Sequence, residues 1–307
     1  MPDIKNILII YNPVSGNFFR NRYDRQIIKK FFHKRNIAYT WLETKAEHSR
    51  HIEEYLQKDF DRVLVVGGDG TVREVAHHLI KHQRPMPLGI IPLGTSNIIV
   101  RSLGVPLSLR GALKYFVGNE GLPIDAGIVN NEKYFLISCG IGYDAKFLKA
   151  TSRIWKKIFG PLAYVMIALK HSYSTDRITG NLTINQETKK ITSSAIIAFN
   201  VRAFIGRKKN FILKVHPGVL DVLITEAITI PAVLKLIHKI FRRNKPKYHD
   251  LDIVQTKTLT FVSEKMLEFE IDGDTWAGKK ITIAIVPHAL NVITSKKNYA
   301  FQKKSVV

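Results

Sequence analysis

The apolar positions of this chain fall into two textures that change near residue 122. Up to that point, short apolar runs at 7–10, 38–42, 62–66 and 88–91 read as strands. Between them apolar residues recur at helical spacing. These are Tyr23, Ile27, Ile28, Phe31 and Phe32, then Ile52, Tyr55 and Leu56 within 49–57. Val72, Val75, Ala76, Leu79 and Ile80 follow, then Ile98, Ile99 and Leu103. Strands alternating with helices predict a mostly parallel α/β domain over residues 1–122. Beyond it, strand-like runs dominate at 134–139, 180–185, 191–201, 219–224, 256–262, 266–272 and 280–286, with turn residues between them. That pattern predicts a β-rich antiparallel second domain, sandwich- or barrel-like, over 123–290. Helices are expected at 161–171 and 231–242, each with a proline, Pro161 or Pro231, suited to a first helical turn. The tail 291–307 is basic and short, and packing back on the first domain is open to it.

Turn-rich polar loops end three predicted strands, at 12–17, 67–71 and 94–97. In a parallel α/β sheet ligands collect at the carboxyl ends of strands, so the three loops are expected to meet at one crevice. The middle loop is Gly67-Gly68-Asp69-Gly70-Thr71. Thr71, with Glu74 three residues on, makes a capping-box pattern that places a helix start at Thr71. Glycines admit a ligand close to backbone N–H groups, and a helix N-terminus favours anions, so a phosphate is the expected guest.

The second stretch with chemical content is 266–274. Alternation sets Leu267, Phe269 and Ile271 on one face and Glu268, Glu270 and Asp272 on the other. Asp272, at the strand end beside Gly273, is placed to enter a cleft as a general base. An exposed polar strand face is the other reading of the same residues. Two look-alike motifs fail. The run 273–279 has P-loop spacing, but Lys280 stands where Ser or Thr should meet magnesium and a strand follows, so it reads as a hairpin turn. The run 140–145 resembles a dinucleotide fingerprint but has no acidic residue about 20 positions on and no βαβ setting. His78 and His82 share a helix face at i, i+4 spacing, but with no third ligand nameable from the sequence a zinc site there is only the minor reading.

Composition narrows the classes. The chain has 307 residues, enough for one large or two ordinary domains. Its single cysteine, Cys139, excludes an internal disulfide and a multi-cysteine zinc site and suits a reducing cytosol. No segment reaches the roughly 18 consecutive apolar residues of a membrane span, and the N-terminus runs straight into a strand rather than a signal peptide. A soluble or peripheral protein is expected. Net charge is +22, from 47 Lys+Arg against 25 Asp+Glu, a surface that attracts anionic lipid, phosphorylated ligands or nucleic acid. No zinc-finger, ribonucleoprotein or arginine-rich motif accompanies the charge, so nucleic acid is not the expected partner. Trp155-Lys156-Lys157-Ile158-Phe159 mixes basic and aromatic residues and suits either a bilayer surface or packing on the β domain.

Taken in order, the motifs resemble the diacylglycerol kinase catalytic-domain superfamily, which includes bacterial soluble lipid kinases and sphingosine and ceramide kinases. The resemblance rests on Asn12-Pro13-Val14-Ser15-Gly16, Gly67-Gly68-Asp69-Gly70-Thr71, Pro92-Leu93-Gly94-Thr95-Ser96-Asn97, Pro123-Ile124-Asp125, Gly140-Ile141-Gly142-Tyr143-Asp144, Asn200 with Gly206, and Glu270-Ile271-Asp272-Gly273. It implies an ATP-dependent lipid kinase that transfers the γ-phosphoryl group to the hydroxyl of diacylglycerol or a related lipid, with Mg2+ accompanying the nucleotide. It also implies a two-domain fold, a nucleotide domain followed by a lipid domain, and a cytoplasmic protein that meets an anionic membrane surface peripherally. ATP contacts carry over to Asn12, Ser15, Gly16, Thr44, Gly67, Gly68, Asp69, Gly70, Thr71, Gly94, Thr95 and Asn97. The catalytic base carries over to Asp272, with Glu270 and Asp274 as supporting acids, and no metal ligand is assigned. Asp274 replaces the family's frequent Glu, and Gly206-Arg207-Lys208-Lys209 replaces a glycine run. A bacterial turn that holds a structural magnesium through Asp is here His216-Pro217-Gly218, and proline offers no side-chain ligand. An NAD kinase-like enzyme and a non-catalytic nucleotide- or lipid-binding protein are the competing readings.

Overall fold

The computed structural model describes residues 4–15, 18–44, 49–95, 97–142, 177–200, 218–225 and 253–296. The expected helices at 161–171 and 231–242, the segment from Trp155 to Phe159, Gly206–Lys209, Pro217 and Gly16 lie outside these residues. Among the described residues the chain forms two compact units. One holds the chain up to Ala126 and again from Val286, and the other runs from Gly127 to Ile285.

The first unit is an α/β layer structure. Strands β1 (Asn6–Tyr11), β2 (Ala38–Glu43), β3 (Arg62–Gly67) and β4 (Leu88–Pro92) run parallel in the order β2-β1-β3-β4. Residues 7–10 and 63–66 are wholly buried, which explains their unbroken apolar runs: a central parallel strand is covered on both faces. The helices are α1 (Phe18–His33), α2 (Ser49–Leu56), α3 (Asp69–Lys81), α4 (Ile98–Ser102) and α5 (Leu109–Gly118). Helix α1 packs with α5, where the rings of Phe32 and Phe116 meet edge to face at 6.0 Å, and α2 packs with α3. Arg62 is buried at the start of β3, and its guanidinium donates to the carbonyls of Phe116 and Asn119 at the end of α5. Strand β5 (Glu120–Val129) carries the chain out of this unit. The end of β14 (Asp274–Thr294) belongs to it, with Val292 parallel to Leu88 and Leu290, Val292 and Ile293 buried.

The second unit is antiparallel. Strands β7 (Ser138–Ile141), β10 (Ala195–Phe199), β11 (Leu220–Thr225), β12 (Ile253–Thr256) and β13 (Thr258–Ile271) form the order β12-β11-β10-β7-β13-β14. Strand β6 (Lys133–Phe135) pairs with β5, and β8 (Ile178–Ile184) pairs with both β13 and β9 (Glu187–Ser193). Cys139, Ile141, Ile196, Leu220, Phe261, Phe269, Ile271 and Ile281 lie in one buried cluster.

The structure corrects the expected elements at several points. Helix α3 begins at Asp69, and no side chain caps it at Gly68, so Thr71 and Glu74 do not form the expected capping box. The hydroxyl of Thr71 is instead an acceptor for Asn12. The runs 256–262 and 266–272 are largely one strand, β13, interrupted by a register shift between Val262 and Leu267. The run 191–201 divides at Ser194 between β9 and β10, and 134–139 divides at Leu136 and Ile137 between β6 and β7. Residues 273–279 are not a turn beyond Gly273: the hairpin bend is Asp272-Gly273, and β14 starts at Asp274. Both bend residues have positive φ, +47° and +98°, the signature of a type I′ hairpin, for which Asp-Gly is a preferred pair. No described helix is long and apolar enough to cross a membrane.

Candidate active site

In the α/β unit, the loops after β1, β3 and β4 come together. The side-chain amide of Asn12 donates to the hydroxyl of Thr71 at 2.8 Å, while its oxygen accepts the N–H of Val14 at 3.0 Å. The N–H of Ser15 donates to the Asn12 carbonyl, closing a turn. The N–H of Thr44, just past β2, donates to the carbonyl of Tyr11, which sets Thr44 beside the start of the same loop.

The loops after β3 and β4 touch through glycine backbone. A Cβ built on Gly94 would lie 2.8 Å from the Gly68 Cα and 2.7 Å from the Asn97 side-chain oxygen. Leu93 donates its N–H to the Gly67 carbonyl at 2.9 Å, which fixes the approach. Asn97 takes left-handed backbone angles and its amide donates to the Gly94 carbonyl at 2.7 Å. Its side-chain oxygen is buried without a hydrogen-bond partner, an acceptor that a ligand hydroxyl or amino group would satisfy.

Asp69 is turned away from its own helix start. Its two carboxylate oxygens accept the N–H groups of Ile98 and Ile99 at 3.1 and 3.2 Å and so cap α4. Burial pushes its pKa up, partly offset by those backbone bonds. Asp69 therefore bears on any ligand by position of the loop, and its carboxylate is committed within the protein. The first helical bond of α3 runs from Val72 to the Gly68 carbonyl. The N–H groups of the preceding first-turn residues thus have no intrahelical acceptor, and Gly70 is exposed with nothing within 4 Å of an added Cβ. Uncapped N–H groups at the positive end of a helix, next to a glycine–glycine approach, suit a phosphate chain. Thr95 is exposed on the rim.

In the β unit, Asp272 sits at the first position of the β13–β14 bend. One carboxylate oxygen accepts the N–H groups of Ile137 and Ser138, each at 2.9 Å, and the other accepts that of Leu136 at 2.8 Å. The Asp272 N–H returns a bond to the Ser138 carbonyl. Three backbone donors leave the carboxylate little orientational freedom. The chain at Leu136 and Ile137 is held from the other side by buried Asn200. Its side-chain amide donates to the Leu136 carbonyl and its N–H to the Ile137 carbonyl, both at 3.0 Å. Glu270, one turn of the pleat earlier, accepts the N–H of Gly273 and closes the bend. Asp274 is exposed. Burial, with Glu270 and Asp272 nearby, pushes the Cys139 thiol well up, so it is a packed hydrophobe and not a nucleophile.

The amides of Leu136, Ile137 and Ser138 were not expected to serve Asp272. Their side chains belong to an apolar run and carry no sign of it. The one local signal is the Asp-Gly pair, which marks a tight hairpin and so fixes where the carboxylate must point.

Comparison with known proteins places both units. The Diacylglycerol kinase catalytic domain matches residues 6–129, and the YegS C-terminal NAD kinase beta sandwich-like domain matches residues 137–294. A Klebsiella pneumoniae protein named "Probable lipid kinase YegS-like" is 34% identical over 134 residues, 44% of each chain. The "Diacylglycerol kinase" of Bacillus subtilis is 32% identical over 53% of this chain and 54% of that one. The chain thus spans about half the length of these two relatives in alignment. It aligns over 94% of its own length with 96% of the "Probable lipid kinase YegS" of Escherichia fergusonii, at 26% identity. A solved diacylglycerol kinase structure from Bacillus anthracis superposes with a TM-score of 0.74, covering 97% of this chain and 99% of that one at 21% identity. The chain belongs to the diacylglycerol kinase catalytic-domain family of lipid kinases, with the YegS-type β-sandwich-like domain as its second part.

Proposed function

We propose that this chain is an ATP-dependent kinase for a lipid hydroxyl, that of diacylglycerol or a related lipid. The observation that carries the nucleotide half is the uncapped start of α3 beside the Gly68–Gly94 approach. The N–H groups of the first turn cradle the phosphates, with Asn12, Ser15, Thr44, Thr71, Thr95 and Asn97 around them. Magnesium, when it arrives with the nucleotide, neutralises charge on the transferred group. Asp272 receives the substrate hydroxyl. A carboxylate fixed by three backbone donors is a well-aimed acceptor. That suits phosphoryl transfer, whose loose transition state asks more for alignment and charge compensation than for a strong base. The basic surface would hold the enzyme on an anionic bilayer, from which it draws substrate.

The test is incubation of purified protein with ATP labelled on the γ-phosphate, magnesium and lipids. The panel contains diacylglycerol, monoacylglycerol, phosphatidylglycerol, a sphingoid base and ceramide. Label in one organic-phase product supports the reading. A second reading has one specific support, the NAD kinase likeness in the description of the C-terminal domain. NAD is therefore included in the panel, and label in NADP with none in any lipid replaces the first reading by the second.

A further inference from the structure

The strongest feature outside the site is a cluster on the α2–α3 pair. Glu53 projects from α2 towards His78, in the last turn of α3, and His82, the residue that ends it. One ligand atom from each of the three lies within 4.8 Å of the others. The His82 Nε2 is 2.5 Å from one Glu53 oxygen, and the His78 Nδ1 is 4.0 Å from the other. The two imidazoles are nearly parallel, 8° apart, as i, i+4 side chains on one helix face are. Lys81 also reaches Glu53, at 3.6 Å, from a half-exposed position.

A simple ion-pair network accounts for His82 and Lys81 against Glu53. It does not account for His78. That residue is 7% exposed, and its Nδ1 is buried with no hydrogen-bond partner. A buried polar atom in this state is unusual and calls for a partner. We propose that Glu53, His78 and His82 form a binding site for a divalent transition-metal ion, best suited to Zn2+. Two imidazoles and one carboxylate are a known zinc ligand set, and imidazole ligands favour zinc, copper or nickel over magnesium or calcium. Ligand atoms around tetrahedral zinc stand about 3.3 Å apart, so small side-chain rotations close the set. Zinc takes the place of a proton on His82 Nε2 as the neutral ring turns to its Nδ1–H tautomer, and the fourth position is left for water. The ion would tie α2 to the C-terminal turn of α3, about 13 Å along the helix from its phosphate-facing start. Its role is to brace the helix and it takes no part in transfer.

The test uses untagged, metal-free full-length protein titrated with zinc chloride by calorimetry, with the thermal midpoint read in parallel. One equivalent of zinc should bind and raise the midpoint. Glu53→Gln and His82→Ala change partly exposed side chains, so folding is preserved. Each should weaken zinc at least about tenfold and abolish the thermal shift, while His33→Ala, on α1, should change neither. Cobalt in place of zinc should show the strong visible absorption of a four-coordinate site in wild type alone. Absence of a stoichiometric event in wild type, binding undiminished in both site variants, or equal loss in His33→Ala would overturn the proposal.

Discussion

Asp272 shows how one residue serves two ends. Its carboxylate organises the chain at Leu136–Ser138, and in the proposed reaction it also receives the substrate hydroxyl. Asp272→Asn separates these roles only in part. Asparagine still suits a left-handed turn position before glycine, so the hairpin stays. Its side chain, however, has one acceptor oxygen where the carboxylate has two, and its NH2 would face a backbone donor. We expect turnover to fall by roughly 10²–10⁴-fold with nearly unchanged ATP affinity, and stability to fall by about 1–3 kcal/mol. Phosphate transfer and urea unfolding on the same preparation check both. Wild-type turnover in a variant with the expected stability loss would leave Asp272 a structural residue. Asp61 gives a cleaner pH effect. It accepts the N–H groups of Lys5 and Asn6, and these bonds hold its pKa below the ordinary aspartate value. A depressed folded pKa adds stability above the unfolded pKa, and that stability is lost as pH falls through the folded value. Asp61→Asn should therefore be less stable than wild type at neutral pH, by under about 1 kcal/mol for so exposed a group. The two curves should converge in acid, as pH falls below the ordinary aspartate value and through the lowered folded one, which a pH series of thermal midpoints would show.

At the scale of elements, the glycine-bearing loops carry the nucleotide reading. Gly94→Ala places a methyl against the Gly68 Cα and the Asn97 side-chain oxygen, so one of the loops must move. Nucleotide affinity should drop at least tenfold, measured by equilibrium binding of an ATP analogue, with a modest loss of stability. Gly118→Ala, at the end of α5 and outside these loops, meets nothing and should bind as wild type, which makes it the control. The elements also show what a single sequence discloses. Strands β1, β3 and β4 were legible because burial on both faces demands an unbroken apolar run. The faces of β13 were legible because one is buried and the other is not: Phe269 and Ile271 are inside and Glu268 is outside. Helix α5 was not read, since Gly111 weakens the local helical preference and its support comes from Phe116 packing on Phe32. Strand β5 was not read because Pro123 argues against a strand interior. The break at Leu136–Ile137 was invisible, because its cause is a carboxylate more than 130 positions away. The Thr71–Glu74 pattern misled because both side chains it relies on depend on context. Tertiary contact with Asn12 claims the threonine, and the helix starts without it.

At the scale of the whole molecule, the dominant physical quantity is charge, +22 over 307 residues. Several described cations lie on aromatic rings: Arg25 and Lys29 over Trp41, Arg35 over Phe31, Lys58 over Tyr55 and Lys133 over Trp276. Trp276 and Met266 are themselves exposed, 37% and 64%, beside basic residues in the β unit. Basic and amphipathic side chains mixed on a surface suit the headgroup region of a bilayer, where each Lys or Arg near an anionic surface contributes about 1 kcal/mol. That contribution decays over a Debye length of about 10 Å at 0.1 M salt and about 3 Å at 1 M. Binding to vesicles should therefore rise steeply with the fraction of anionic lipid and fall steeply with added salt. A hydrophobic insertion would keep its strength or gain under the same salt. Co-sedimentation across a salt series, with neutral vesicles as the reference, decides between the two. Equal binding to neutral and anionic vesicles at every salt concentration would show that the charge of this chain serves something other than a membrane.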